Sequence, residues 1–217
     1  RLTGSNSRVG FQGNGSMFFK RVVARYEKQY AAYMYHDLLE GLGINSTCPE
    51  LALNVPKPDI DWANSEQLRL GVKDTGYILV YGSSGDTDTS YPVEKWLSVI
   101  KDFKEKQPDM PILIISQPDN QDFVNSLLEV VPDIKEILID NIGKLAATIA
   151  GANLLLCTSS STMQLAVAVQ TYTIALFGSS EPTKLLPKSD KFLAIKSPTG
   201  SMNDIAPATI LEKVWQG

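Results

Sequence analysis

From Tyr77 onward, short apolar runs alternate with longer amphipathic stretches, and this rhythm governs the reading of the chain. The runs Tyr77–Tyr81, Ile112–Ser116, Glu136–Ile139, Leu154–Cys157, Thr173–Phe177 and Phe192–Ile195 are too short and too β-branched for helices, and they read as buried strands. Between them, Pro92–Lys106, Asn120–Val130, Ile142–Ala150, Ser161–Val169 and Ala206–Trp215 carry apolar residues at helical spacing. Alternation of this kind predicts an α/β fold: a Rossmann-like parallel sheet with helices on both faces, joined by right-handed crossovers.

The first 61 residues have no such rhythm. Gly, Ser and Asn dominate residues 1–16 around one candidate strand, Val9–Phe11. Phe18–Gly41 has sustained helical character, and Tyr26, Tyr30 and Tyr33 would share one face of that helix. Pro49, Pro56 and Pro58 mark residues 45–61 as an extended linker, followed by a short helix over Trp62–Leu70. The expected domains are therefore 1–61, a helical and linker remnant, and 62–217, the Rossmann-like domain.

Composition narrows the functional classes. A hydrophobic content of 43% over 217 residues supports a well-formed core, and a net charge of −4 argues against a surface devoted to nucleic acid. No run approaches the roughly 18 apolar residues of a membrane span. Cys48 and Cys157 differ in setting and suggest neither a disulfide framework nor a metal site, and no cofactor is expected. The chain opens on Arg1 rather than Met, as a processed or partial product would.

In an open parallel sheet the ligand crevice lies beyond the carboxyl ends of the strands. The loops Gly82–Asp86, Ser116–Asn120, Thr158–Thr162 and Gly178–Glu181 should therefore line one edge. Gly82, Ser83 and Ser84, with Thr158, Ser159, Ser160 and Ser161, can present backbone N–H groups and hydroxyls at helix starts, where a diphosphate is favoured. The same serines also suit helix caps and turns. Asp86 and Asp88 read as turn residues rather than an acid/base pair. The single histidine, His36, stands far from these loops in sequence, so a Ser-His-Asp arrangement is not expected.

Thr158 to Ala166, followed by Ala175-Leu176-Phe177-Gly178, resembles the C-terminal domain of glycosyltransferase family 9, the lipopolysaccharide heptosyltransferases, and in particular a cyanobacterial and plastid branch. Tyr91–Trp96 resembles that family's Lys-Arg-Trp-Pro signature, and Arg8–Phe11 and Tyr26–Ile44 resemble the end of its N-terminal domain and linker. The resemblance implies the C-terminal half of a GT-B fold and assigns nucleotide-sugar binding to Gly82, Ser83, Ser84, Thr158, Ser159, Ser160, Ser161, Gln164 and Glu181. It places the catalytic carboxylate upstream of Arg1. Thr89, Ser159 and Gln164 stand where the family carries Lys, Asp and His. These losses point to a catalytically degenerate domain that acts in the cytoplasm or plastid stroma as a scaffold subunit of a larger assembly, such as a photosynthetic membrane complex. The alternative is an active transferase using an ADP-linked sugar donor.

Overall fold

The computed structural model describes residues 7–82 and 90–216. Two compact units emerge. One runs through Glu50 and takes in Thr183–Pro187; the other comprises Leu51–Pro182 and Lys188–Gly217.

The larger unit carries a six-stranded, wholly parallel sheet: β3 (Ile78–Tyr81), β4 (Ile112–Ser116), β5 (Lys135–Leu138), β6 (Leu154–Thr158), β7 (Thr173–Phe177) and β8 (Phe192–Lys196), in the order β5-β4-β3-β6-β7-β8. Between them run α3 (Val93–Lys106), α4 (Gln121–Val130), α5 (Ile142–Ala150) and α6 (Ser161–Ala168), while α8 (Pro207–Trp215) follows β8. The α/β expectation and its six strands are met, with ends displaced by a residue or two.

Strand alternation sorts the core onto two faces. Ile78, Val80, Ile112, Ile114, Leu156, Ile174 and Ile195 pack with Trp96, Phe103, Phe123, Leu127 and Ile210 of α3, α4 and α8. The intervening Leu79, Leu113, Ile115, Leu155, Cys157 and Phe177 are as deeply buried on the opposite side. There Tyr77, just before β3, donates its hydroxyl to Thr148 O of α5 at 2.5 Å. Burying one such apolar side chain contributes about 1.5–3 kcal/mol.

Helix α2 (Lys57–Arg69) packs on α5 and begins earlier than the expected Trp62, inside the segment read as linker. Pro58 lies in its first turn, where a missing N–H costs nothing because that donor has no intrahelical partner.

The smaller unit departs most from expectation. Instead of one helix over Phe18–Gly41 it has a 3₁₀ turn at Ser16–Phe18, then β2 (Arg21–Val23) paired in parallel with β1 (Val9–Phe11), then α1 (Ala31–His36) and a 3₁₀ helix over Asp37–Leu42. The β-branched pair Val22-Val23 favours the strand, and Arg21 Nη1 donates to Gly41 O at 3.0 Å. A side chain at Gly41 would strike Val9 and Val23, so only glycine lets the 3₁₀ helix lie against the strand pair. Tyr26 lies outside any helix and Tyr30 caps α1, so the expected three-ring face does not form; Tyr30 and Tyr33 meet edge to face at 5.3 Å. In the remaining short helix, α7 (Pro182–Leu185), no residue is buried.

Candidate functional site

The chain runs from β3 outward to β4 and β5, then returns to β6 on the other side of β3 and continues outward to β7 and β8. β3 and β6 are therefore neighbours whose connections leave in opposite directions, which opens a crevice above their carboxyl ends. A cavity of about 540 Å³ occupies that place, lined among others by Tyr81, Gln117, Asp119, Asn141, Ser161 and Gln164. A second hollow of about 480 Å³ lies beside Ser90, Pro92, Ser179, Gly200, Ser201 and Asn203.

Thr158 ends β6 with no exposed surface, and among the described residues its Oγ1 has no hydrogen-bond partner. Ser160 is the N-cap of α6 in extended conformation, yet its hydroxyl accepts nothing from the helix and is likewise buried with no partner among the described residues. Helix α5 shows the ordinary arrangement: Asn141 Oδ1 accepts from Lys144 N at 2.9 Å. Capping thus accounts for Asn141 but not for Ser160. The first turn of α6 keeps its N–H groups free of any side-chain cap, beside two buried hydroxyls that could each donate a hydrogen bond.

Of the other anticipated residues, Ser159, Ser161 and Gln164 fall around this point. Ser159 N donates to Leu176 O at 2.9 Å, and its Oγ receives a bond from Ser180 Oγ at 3.5 Å. Ser161 opens α6, and Gln164, one turn on, faces the cavity with Ser161. Gly82 follows β3; a side chain there would collide with the Phe123 ring and Trp96 Nε1, so the strand end is pressed onto α3 and α4. Glu181 is exposed and lines neither hollow. Ser83 and Ser84, with Asp86, Asp88 and Thr89, lie outside the described residues.

Tyr81 shares a hydrogen bond with Thr162, joining the end of β3 to the first turn of α6 across the crevice; burial and then the nearby Asp119 carboxylate hold its phenol above the ordinary value. Asp140 is held below the usual carboxylate range by Lys144, 2.9 Å away. Behind the site, burial pushes the Cys157 thiol up, so it is no nucleophile. His36, by contrast, lies in the smaller unit with Nε2 3.2 Å from Ser46 Oγ. Among the described residues no group of three His, Cys, Asp or Glu is placed to hold a metal, and no helix is long and apolar enough to cross a membrane.

The sequence placed helix Ile142–Ala150 as observed, but Asn141 and the first turn of that helix were not counted among the site residues. The signal was available, because Asp140-Asn141 follows a recognised strand and belongs to the same edge as the other four loops.

Residues 1–214 match the model of glycosyltransferase family 9 (heptosyltransferase), and the chain belongs to that family. The fold is similar to that of the family 9 glycosyl transferase from Veillonella parvula, at a TM-score of 0.84 and 18% identity over 98% of this chain and 67% of that one. It is also similar to Escherichia coli heptosyltransferase WaaC with ADP-2-deoxy-2-fluoro heptose, at 0.67 and 16% over 93% and 60%. In sequence, the Arabidopsis thaliana photosynthetic NDH subunit of subcomplex B 1, chloroplastic, is 31% identical over 133 residues, 59% of this chain. The chain spans only 28% of the length of that curated relative.

These matches correct the expectation of a degenerate, non-catalytic scaffold. The backbone that carries Thr158–Gln164 has the fold of heptosyltransferases, among them structures solved with ADP and with an ADP-linked sugar analogue. Loss of activity was read from three side-chain replacements, and the fold around them is that of the family.

Proposed function

We propose that this chain supplies the donor-binding half of a glycosyltransferase that takes a sugar from an ADP-linked donor of the heptose type. The observation that carries this reading is the pair of buried hydroxyls, Thr158 Oγ1 and Ser160 Oγ, without partners among the described residues, at the uncapped start of α6. An unsatisfied buried polar group costs about 1–3 kcal/mol, which a bound anion accepting from it would offset. The diphosphate then lies at the α6 N-terminus, where helix dipole and N–H groups stabilise the leaving group as the sugar departs. The nucleoside fills the crevice between Tyr81, Asp119 and Asn141. Gly82, Ser83, Ser84, Ser159, Ser161 and Gln164 complete the proposed donor contacts, with Glu181, which lines neither hollow, left outside them; the donor-binding domain is the expected 62–217 extended back to the start of α2 at Lys57, and the smaller unit belongs to the other half.

The plant relative supports two finer elements of the reading: placement in the cyanobacterial and plastid branch, with a plastid-type compartment, and association with protein partners. Met17, Phe18, Tyr26 and Tyr35 of the smaller unit are each more than 60% exposed, the kind of surface partners cover.

The test is calorimetric titration of the protein with ADP and UDP, joined to an assay of ADP release from ADP-heptose. Binding of ADP in preference to UDP is expected of this half, with ADP release on addition of a saccharide acceptor when the N-terminal half that supplies the carboxylate is present. Absence of ADP binding at millimolar concentration would remove the reading.

A further inference from the structure

The diphosphate bridge of a nucleotide sugar is anionic, and becomes more so as it leaves. The walls of the crevice add negative charge rather than remove it: Asp119 and Asp140 line it, and Lys144 is engaged by Asp140 and by the face of Trp62, 4.8 Å from its ring centre. A neutralising cation must come from elsewhere.

Lys196 has the required position. It closes β8 in register with Phe177, and since Ile195 belongs to the core beneath α3, α4 and α8, alternation turns Lys196 to the other face, that of α6. Its ammonium donates to Gly178 O at 2.7 Å and Ser180 O at 2.6 Å. Ser180 in turn reaches Ser159, in the turn that precedes α6. An ammonium has three donors, and among the described residues this one meets two carbonyls and no carboxylate. Two carbonyls thus fix an otherwise flexible side chain beside the phosphate turn with one N–H left over. Lys95, another ammonium at this end of the sheet, is tied to Asn203 O and Ile205 O on the α3 side.

We propose that Lys196 is the cation of the donor site: held by Gly178 and Ser180, it donates its third N–H to the diphosphate and offsets its charge. The inference rests on the donor-site reading and deepens it by naming the residue that distinguishes a nucleoside diphosphate from a nucleoside.

The experiment compares the binding of ADP and adenosine to the wild-type protein, Lys196→Gln and Lys196→Arg. Glutamine keeps an N–H donor for the two carbonyls and removes the charge. ADP affinity of Lys196→Gln should fall about tenfold or more, as expected for loss of a charge-assisted contact. Adenosine affinity should stay within twofold, and Lys196→Arg should recover most of the ADP affinity. If Lys196→Gln binds ADP as wild type does, or loses ADP and adenosine in equal proportion, Lys196 merely holds the loops and the inference is wrong while the donor site stands. A wild-type protein that binds adenosine but not ADP, or neither, overturns the donor-site reading and this inference together.

Discussion

At the scale of single residues, Thr158 and Ser160 separate stability from function. A threonine whose hydroxyl is fully buried without a partner is a poor choice for the end of a strand, where Val would fill the same volume without a polar atom. Replacing an unsatisfied polar group by an isosteric apolar one is neutral or stabilising. Thr158→Val is therefore expected to stabilise the unliganded protein by up to about 1 kcal/mol, a rise in melting temperature of about 2–4 °C. The same change should weaken ADP binding severalfold, because the hydroxyl it deletes is one the diphosphate would engage. Thermal denaturation and calorimetry on the one variant decide the matter, and a loss of both stability and affinity would mean that the hydroxyl has a structural partner. The residue types around this turn were legible in the sequence: Thr158-Ser159-Ser160-Ser161 stands out as hydroxyl-rich. Which of its hydroxyls cap, which bond to neighbours and which are left over was not legible, because that depends on backbone angles and on residues as distant as Ser180.

At the scale of elements, α6 is held at its start by Tyr81 and at its end by a tight carbonyl cap. The Gln170 N–H donates to Val167 O and the Thr171 N–H to Ala166 O, the paired bonds of a left-handed helix terminus. Gln170 adopts φ of +62°, a region that costs an L-residue about 1 kcal/mol and glycine almost nothing. Gln170→Gly should accordingly raise the melting temperature by about 2–4 °C per kcal/mol recovered, as followed by circular dichroism. The clasp between α3 and α8 responds instead to acid. The Asp102 carboxylate is held below the ordinary range by Lys106 and also accepts from Trp215 Nε1 at 2.9 Å. A depressed folded-state pKa contributes stability that is present above the unfolded value, near 4, and is lost as pH falls through the folded one. Asp102→Asn should therefore show a shallower decline in stability than wild type below about pH 4, and the same pH dependence above it. The four central strands, β4, β3, β6 and β7, were readable because each is buried on both faces and so forms a nearly uninterrupted apolar run, while the edge strands β5 and β8, with Lys135, Glu136 and Lys196 among their residues, were readable from their place in the alternation. β2 was not. Three residues, two of them exposed, leave no period, and their pairing with β1 is a tertiary choice that local pattern does not encode.

At the scale of the molecule, the reversal of strand order at β3 and β6 does most to concentrate function. It gathers the ends of β3, β4, β5 and β6, which lie far apart in sequence, around one crevice, and it leaves the N-termini of α5 and α6 facing that crevice. A ligand seated there touches elements from Tyr81 to Gln164, so unfolding the larger unit must release it. Ligand that binds only the folded state adds about 2.7 kcal/mol at a concentration one hundred times its dissociation constant. For a chain of 217 residues that corresponds to a rise of about 5–10 °C in melting temperature. ADP is therefore expected to shift thermal unfolding of the protein by this amount, UDP by much less, and inorganic phosphate alone by little, since it fills only the α6 end of the crevice. A shift produced equally by ADP and by phosphate would confine recognition to the anion and leave the space between Tyr81, Asp119 and Asn141 without a role in choosing the nucleoside.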